Sequence, residues 1–166
     1  MTRWLSRDEQ RAWRAFLEVH RLLFERLDRQ LAADSGLSHA DYEILVRLSE
    51  ADGRALRMSE LADATLSSRS RLSHAVARLE TQGWVVRREC PSDKRGTVAA
   101  LTDAGFAALA AAAPGHVEAV RAALLDPLSP AQRDALGEIS TTLLAHLAHD
   151  GAGAGAVDPP PIVPEP

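Results

Sequence analysis

The sequence predicts a mainly α-helical fold with one small β-hairpin, followed by a short tail. Alanine and leucine are abundant and aromatic residues make up only 4% of the chain, which favours helices. Apolar residues recur at helical spacing at both ends of the chain, and two β-prone runs at 84–89 and 97–101 flank a turn-rich segment. We therefore expect one domain over residues 1–150. The Gly-, Ala- and Pro-rich residues 151–166 cannot build a core and are expected to be disordered.

Two helices are predicted before the centre of the chain. Ser6 and Glu9 have the spacing of a capping box, and an amphipathic pattern then continues to the Asp-Ser-Gly sequence at 34–36. Ser38 can cap a second, shorter helix. Residues 54–57 are too few for more than a fragment of a strand.

The central segment predicts a helix-turn-helix that leads into the hairpin. Ser59 is the expected cap of a short helix, and Ser67 is the expected cap of the next helix, which ends at Gly83. One face of this second helix is apolar and the opposite face is polar, as in an amphipathic helix. Such an order of elements can place one helix in the major groove of DNA while the hairpin reaches the minor groove.

Two more helices are predicted after the hairpin. Thr102 can cap an Ala-rich helix, which we expect to be kinked or split at Pro114-Gly115. Ser129 followed by Pro130 has the pattern of a helix start and predicts the last helix.

The charge of the chain is divided between its centre and its ends. The net charge is −4, but residues 54–95 contain nine basic and five acidic residues, a local charge of +4. The remainder therefore carries −8. A surface that binds nucleic acid is thus expected only in the middle of the chain.

A set of short motifs occurs between Tyr42 and Gly105. They are Met58-Ser-Glu-Leu-Ala62, Ser70-Arg71, Leu79-Glu80, Gly83-Trp-Val-Val-Arg-Arg88, Asp93-Lys-Arg95 and Leu101-Thr-Asp-Ala-Gly105. In their order and spacing they resemble the MarR family of regulators. The resemblance implies a winged helix-turn-helix at 38–101, flanked by dimerisation helices at 6–33 and 103–149. It also implies a homodimeric regulator, usually a repressor, that binds a pseudo-palindromic double-stranded DNA operator.

The candidate DNA contacts lie in the second helix of the helix-turn-helix and in the hairpin. They are Ser67, Ser68, Arg69, Ser70, Arg71, His74, Arg78, Lys94 and Arg95. Hydroxyls at a helix N-terminus bind phosphate, and arginine can bind the O6 and N7 atoms of guanine together. Ser70, Arg71 and His74 are therefore the candidates for base edges. Arg69 and Arg78 are candidates for phosphate contacts.

The hairpin residues take their expected roles from the resemblance. It implies that Arg95 enters the minor groove and that Asp93 fixes the loop. Lys94 would add attraction to phosphate without reading sequence, and Gly96 would supply conformational freedom in the turn.

A small aromatic or phenolic effector is also implied by the resemblance. Trp13, Phe16 and His20 share one face of the first helix and could line its pocket. The alternative is that these side chains pack in the core of the dimer.

Other functions have weaker support in the sequence. Cys90 could sense oxidation, but it lies outside the first helix, where related thiol switches place the cysteine. His146 and His149 lack the companion ligands of a zinc site. A winged-helix protein-interaction module would need an attached catalytic domain, and neither a catalytic pattern nor a cofactor is indicated. Without a signal peptide or an apolar run of membrane length, a cytoplasmic protein is expected.

Overall fold

The fold is described by a computed structural model that covers residues 1–90 and 93–150, without the side chains of 93–95 and 148–150. The predicted tail at 151–166 lies outside these residues. The helices and strands are α1 (Arg7–Ser35), α2 (His39–Glu50), β1 (Ala55–Arg57), α3 (Met58–Ala64), α4 (Arg69–Thr81), β2 (Val85–Cys90), β3 (Asp93–Leu101), α5 (Asp103–Val120) and α6 (Pro130–Asp150). The mainly helical fold with a small hairpin is confirmed.

Local signals fix the ends of the first two helices as predicted. Ser6 Oγ accepts a hydrogen bond from the backbone N–H of Glu9, and the Glu9 carboxylate accepts one from the N–H of Ser6, which completes the capping box. Gly36 ends α1 with a φ of 71°, in the left-handed region that glycine adopts without strain. Ser38 then caps α2 by accepting the N–H of Asp41 at 3.1 Å.

Both predicted caps of the helix-turn-helix are wrong by one or two residues. Ser59 lies inside α3, because Arg57 holds the N-cap position and its N–H is satisfied by the Glu60 carboxylate. Ser68, not Ser67, caps α4 by accepting the N–H of Arg71. The preceding turn is extended by Leu66, which has a left-handed φ of 48°. This residue lengthens the turn and moves the start of α4 along the chain.

The three strands form one antiparallel sheet in the order β1-β3-β2. Val85 pairs with Leu101 at one end of the hairpin, and the register shifts between Glu89 and Cys90. β1 pairs through Ala55 with Ala100, so the predicted strand fragment is confirmed. The sheet packs beside α4 and thereby fixes the hairpin next to the helix-turn-helix.

The helix is not split at Pro114-Gly115, one of the two predicted alternatives, because α5 runs through both residues to Val120. Proline removes one backbone hydrogen bond from the helix. The helix persists because Ala112, Ala113 and His116 around this point are buried against the rest of the protein. The irregular turn comes later, at 121–125, where the helix widens to the π form.

The core lies between α2, α3, α4 and the sheet, where Leu45, Leu48 and Leu61 are fully buried. The C-terminal half of α1 packs through Leu31 onto this core and beside α5. Residues 13–24 of α1 and the helix α6 instead carry large exposed apolar side chains. They are Trp13, Phe16, Leu17, Val19, Leu22, Phe24, Ile139, Leu143, Leu144 and Leu147. None of the described helices is long and apolar enough to span a membrane.

Candidate nucleic-acid interface

Helix α4 presents a polar face to solvent. Ser70, Arg71 and His74 are all exposed, whereas Leu72 and Val76 on the opposite side are buried in the core. Because Ser68 caps the helix, the exposed side chains start within its first turn, beside backbone N–H groups that carry partial positive charge. The predicted base-reading residues therefore share one accessible surface.

Arg69 and Arg71 are exposed cations at the start of this helix. Among the described side chains, those of residues 1–90 and 96–147, neither guanidinium has an ion-pair partner. Arg21, Arg54 and Arg87, by contrast, are each paired with a carboxylate. A guanidinium without an internal partner keeps its donors for a ligand such as phosphate or a guanine edge.

Arg78 has a structural partner that the sequence did not predict. Its guanidinium lies 2.8 Å from Oδ1 of Asp41, whose side chain is only 12% exposed. Oδ2 of the same carboxylate accepts a hydrogen bond from the Ser38 hydroxyl. This ion pair joins α4 to α2, so Arg78 positions the helix. Because the Arg78 side chain remains 59% exposed, a phosphate contact stays a prediction.

Arg87 is a further candidate for a role in DNA binding. In the sequence it belongs to one of the motifs, but it was not predicted as a DNA contact. Its guanidinium donates to the carbonyl oxygen of Ser73 at 2.6 Å and lies 3.4 Å from the Glu80 carboxylate. Glu80 also accepts the backbone N–H of Arg87. These contacts tie strand β2 to α4 and set the position of the hairpin against the helix. The seven-residue separation of Glu80 and Arg87 did not reveal this contact, because a turn lies between them.

The basic hairpin residues lie at the start of β3. Asp93, Lys94, Arg95 and Gly96 belong to this strand, whereas the sequence predicted that they form the connecting loop. The strand begins earlier than expected because the register shift after Glu89 lets Asp93 pair with Cys90. The side chains of Asp93, Lys94 and Arg95 are outside the described residues, so their expected roles stay predictions.

The predicted effector residues lie along exposed parts of α1. Trp13 and Phe16 stack with their ring centroids 6.2 Å apart. His20 contacts Phe24 at a centroid distance of 4.7 Å. The three residues follow one another along the helix, and His20 lies nearest to the junction with α2.

The alternative sensor sites gain no support from the geometry. Cys90 is buried at the end of β2. Among the described residues, no three His, Cys, Asp or Glu side chains are grouped so that they could hold a metal ion.

Comparisons with known proteins agree on one family. Residues 35–96 match the model of the MarR family. The chain is 51% identical to Sco3205, a MarR family transcriptional regulator from Streptomyces coelicolor whose crystal structure is in complex with DNA. That match covers 94% of this chain and 97% of Sco3205, with a TM-score of 0.84.

Two further relatives extend the comparison. AbsC, another MarR family regulator from Streptomyces coelicolor, is 45% identical, with 89% of this chain and 99% of AbsC covered and a TM-score of 0.82. The transcriptional repressor MprA of Escherichia coli (strain K12) is 28% identical over 134 residues, which cover 81% of this chain and 75% of MprA. On the strength of its fold, its exposed helix α4 and these matches, the chain belongs to the MarR family of winged-helix transcriptional regulators.

Proposed function

We propose that this protein is a cytoplasmic repressor that binds a pseudo-palindromic operator as a homodimer and is released by a small effector. The observation that carries the proposal is the exposed face of α4, where Arg71 lies beside Ser70 and His74 without an internal ion-pair partner in the described chain. It supports direct readout of bases in the major groove. The 51% identity to a regulator crystallised with DNA supports the same role.

The exposed apolar surfaces of α1 and α6 support the homodimer. Phe16 on α1 and Leu143 on α6 belong to a set of large apolar side chains that a lone chain leaves in water. An apolar surface of this extent marks an interface between proteins. A two-fold dimer would place two copies of α4 about 34 Å apart, one turn of DNA, which fits an operator with two related half-sites.

The first experiment asks whether the full-length protein prefers particular DNA. Labelled duplex DNA from upstream of its own gene is titrated with the protein, beside a duplex of equal length and scrambled sequence. We expect tighter binding to the upstream duplex, and a steep loss of affinity for both duplexes as salt rises. Equal affinity for the two would argue against this operator, and selection from a random duplex pool would then be needed to find one. Failure to select any sequence would overturn the proposed function.

The variants Arg71→Ala and Lys94→Ala are expected to change DNA binding in different ways. Arg71→Ala should reduce discrimination between operator and scrambled DNA by about 1–3 kcal/mol, because it removes a base contact. Lys94→Ala should weaken binding to both duplexes alike and lower the salt slope by about one unit, because it removes a phosphate contact. Titrations at several salt concentrations measure both effects.

The same titrations test the hairpin formed by β2 and β3, which we call the wing. Arg95→Ala should lose operator affinity while the thermal stability stays unchanged, and Arg95→Lys should recover only part of it, since lysine is more strongly hydrated. Unchanged affinity in Arg95→Ala would withdraw the minor-groove role. Equal losses on both duplexes for Arg71→Ala would contradict its role in base reading.

The effector part of the proposal places a small aromatic acid near Trp13, Phe16 and His20. The stacked pair Trp13–Phe16 offers an aromatic surface, and His20 offers a polar group one turn further along α1. Salicylate, used as the probe, should change the tryptophan fluorescence and release the operator duplex, and both effects should weaken in Phe16→Ala. Release that is unchanged in Phe16→Ala would place the effector elsewhere.

A further inference from the structure

Two histidines and a tyrosine meet where α1, α2 and α5 join. The ring of His116 on α5 lies 4.5 Å from the ring of Tyr42 and 6.0 Å from that of His39, both on α2, as measured between centroids. Phe24 of α1 packs against His39 at 5.0 Å. We call these four residues the junction cluster. His116 is 6% exposed, so an ionisable ring lies in the interior between three helices.

The groups that face His116 come from both neighbouring helices. From α1, Gln30 Oε1 lies 3.3 Å from His116 Nδ1, and the Gln30 amide nitrogen donates to the carboxylate of Asp34 at 2.9 Å. From α2, the facing groups are His39 and the phenol of Tyr42. The Tyr42 hydroxyl is buried and has no hydrogen-bond partner among the described residues. The cluster thus contains one amide contact for His116 but no direct carboxylate partner for it.

The junction cluster is connected through the first turn of α2 to α4, which we call the recognition helix because it is proposed to enter the major groove. The backbone N–H of His39 donates to the Asp28 carboxylate of α1 at 2.8 Å. Two residues further along, Asp41 holds Arg78 of α4. A movement of this turn relative to α1 and α5 would therefore be passed directly to α4. In a dimer, such a movement changes the distance between two recognition helices.

Protonation of His116 is unfavourable in this arrangement. Burial, and then the neighbouring imidazole of His39, lower the pKa of His116 below the ordinary histidine value. The Tyr42 ring lies tilted at 47° against the His116 ring, and the Asp34 carboxylate contacts the Gln30 amide. The packed arrangement thus prefers a neutral His116 and is favoured fully above about pH 6.5. This preference is lost as the pH falls from there towards the lowered pKa of His116.

We propose that the junction cluster is a proton-operated switch that weakens DNA binding in acid. When His116 is neutral, α2 stays packed on α1 and α5, and α4 keeps the position that binds the operator. When His116 takes a proton from solvent, the cation leaves the cluster for water, α2 shifts, and the two recognition helices lose their spacing. This inference rests on the proposed function, because operator binding is its readout.

The experiment measures operator affinity of the full-length protein from about pH 5.5 to about pH 7.5 at constant ionic strength. The DNA is a labelled duplex carrying the sequence that the protein selects from a random pool. Allosteric coupling in proteins typically changes a binding affinity by about 5- to 150-fold, so protonation of His116 is expected to lower the operator affinity by about fivefold or more. We expect a loss of this size for the wild type and a nearly flat profile for His116→Gln, which keeps a donor for Gln30 but cannot titrate.

His74 provides the necessary control, because it is exposed on α4 and faces the proposed DNA. A positive charge on this face of α4 would strengthen DNA binding, the opposite sign to the switch. The acid-dependent loss should therefore be at least as large in His74→Gln as in the wild type. A loss that disappears in His74→Gln, or one that persists in His116→Gln, would overturn the switch.

A second measurement keeps the switch testable if His116→Gln fails to fold. The ring resonances of His116 in the wild type are followed by NMR through the same pH range, with and without the operator duplex. We expect its pKa to fall further when DNA is bound, and an unchanged or raised pKa would contradict the inference. Tight operator binding with a flat pH profile would refute the switch alone, whereas no operator binding at any pH would refute the proposed function.

Discussion

Gly105→Ala is expected to lower the free energy of unfolding by about 3 kcal/mol, the upper part of the range for overpacking a rigid interior. A Cβ atom at this position would collide with the carbonyl oxygen of Trp84 and lie 2.8 Å from a methyl group of Leu101. The collision is with backbone, so a side-chain rotation cannot relieve it. The Thr102 hydroxyl also holds this junction by donating to the carbonyl of Gly83 at 2.7 Å. The start of α5 would have to move away from the sheet.

Urea denaturation of the full-length protein measures this effect. Gly137→Ala is the matched control for adding one methyl group, because within a single protomer its Cβ would meet nothing within 4 Å and the residue lies inside helix α6. Replacing a helical glycine by alanine should raise stability by about 0.5–1 kcal/mol. All variants are compared at one protein concentration, since the stability of a dimer depends on it. A Gly105→Ala protein as stable as the wild type would show that the junction between α5 and the wing is loosely packed.

Leu143→Asp is expected to dissociate the proposed homodimer. Leu143 is 46% exposed on α6, on the same helical face as Ile139 and Leu147. Burying a carboxylate in an apolar interface costs several kcal/mol, and two-fold symmetry introduces it twice. A cost of even about 2 kcal/mol for each of the two carboxylates raises the dissociation constant of the dimer about a thousandfold. Operator binding should fall with it, because a monomer reaches only one half-site.

Sedimentation of the purified variants measures the dimer. Leu66→Asn is the control, since Leu66 is 92% exposed in the helix-turn-helix and asparagine tolerates its left-handed φ of 48°. This variant should stay dimeric. If Leu143→Asp sediments as a dimer at wild-type concentrations, α6 does not form the interface. A wild-type protein that is a stable folded monomer at micromolar concentration would remove the homodimer from the proposal.

The sequence by itself determined the features that depend on neighbours in the chain. The capping box at Ser6, the cap at Ser38 and the hairpin between β2 and β3 involve short separations or alternating patterns, and all are present. The polar face of α4 was predicted in the same way, because helical periodicity fixes which residues share a side. The DNA-binding role of the central segment also followed from local motifs. The candidate DNA contacts lie at the start and along helix α4 and in the adjoining hairpin.

Tertiary structure decided the features in which local rules compete or distant residues meet. Ser67 and Ser68 are equally good caps, and the left-handed turn at Leu66 selects the second. Proline favours a break at Pro114, but the burial of its neighbours keeps α5 continuous. A local preference is worth about a kcal/mol for a cap and about 3 for proline, so packing of a whole helix face can override it.

Pairings between distant residues were beyond any local pattern. Arg78 and Asp41 are 37 residues apart, and His116 and Gln30 are 86 apart. The sequence predicted a phosphate contact for Arg78 and assigned no role to His116. Folding brings α1, α2 and α5 together around His116 and encloses it, so both its pKa and its neighbours are set by the tertiary structure. The sequence therefore predicted which surface faces DNA, whereas only the packing of the helices decided what holds that surface in place.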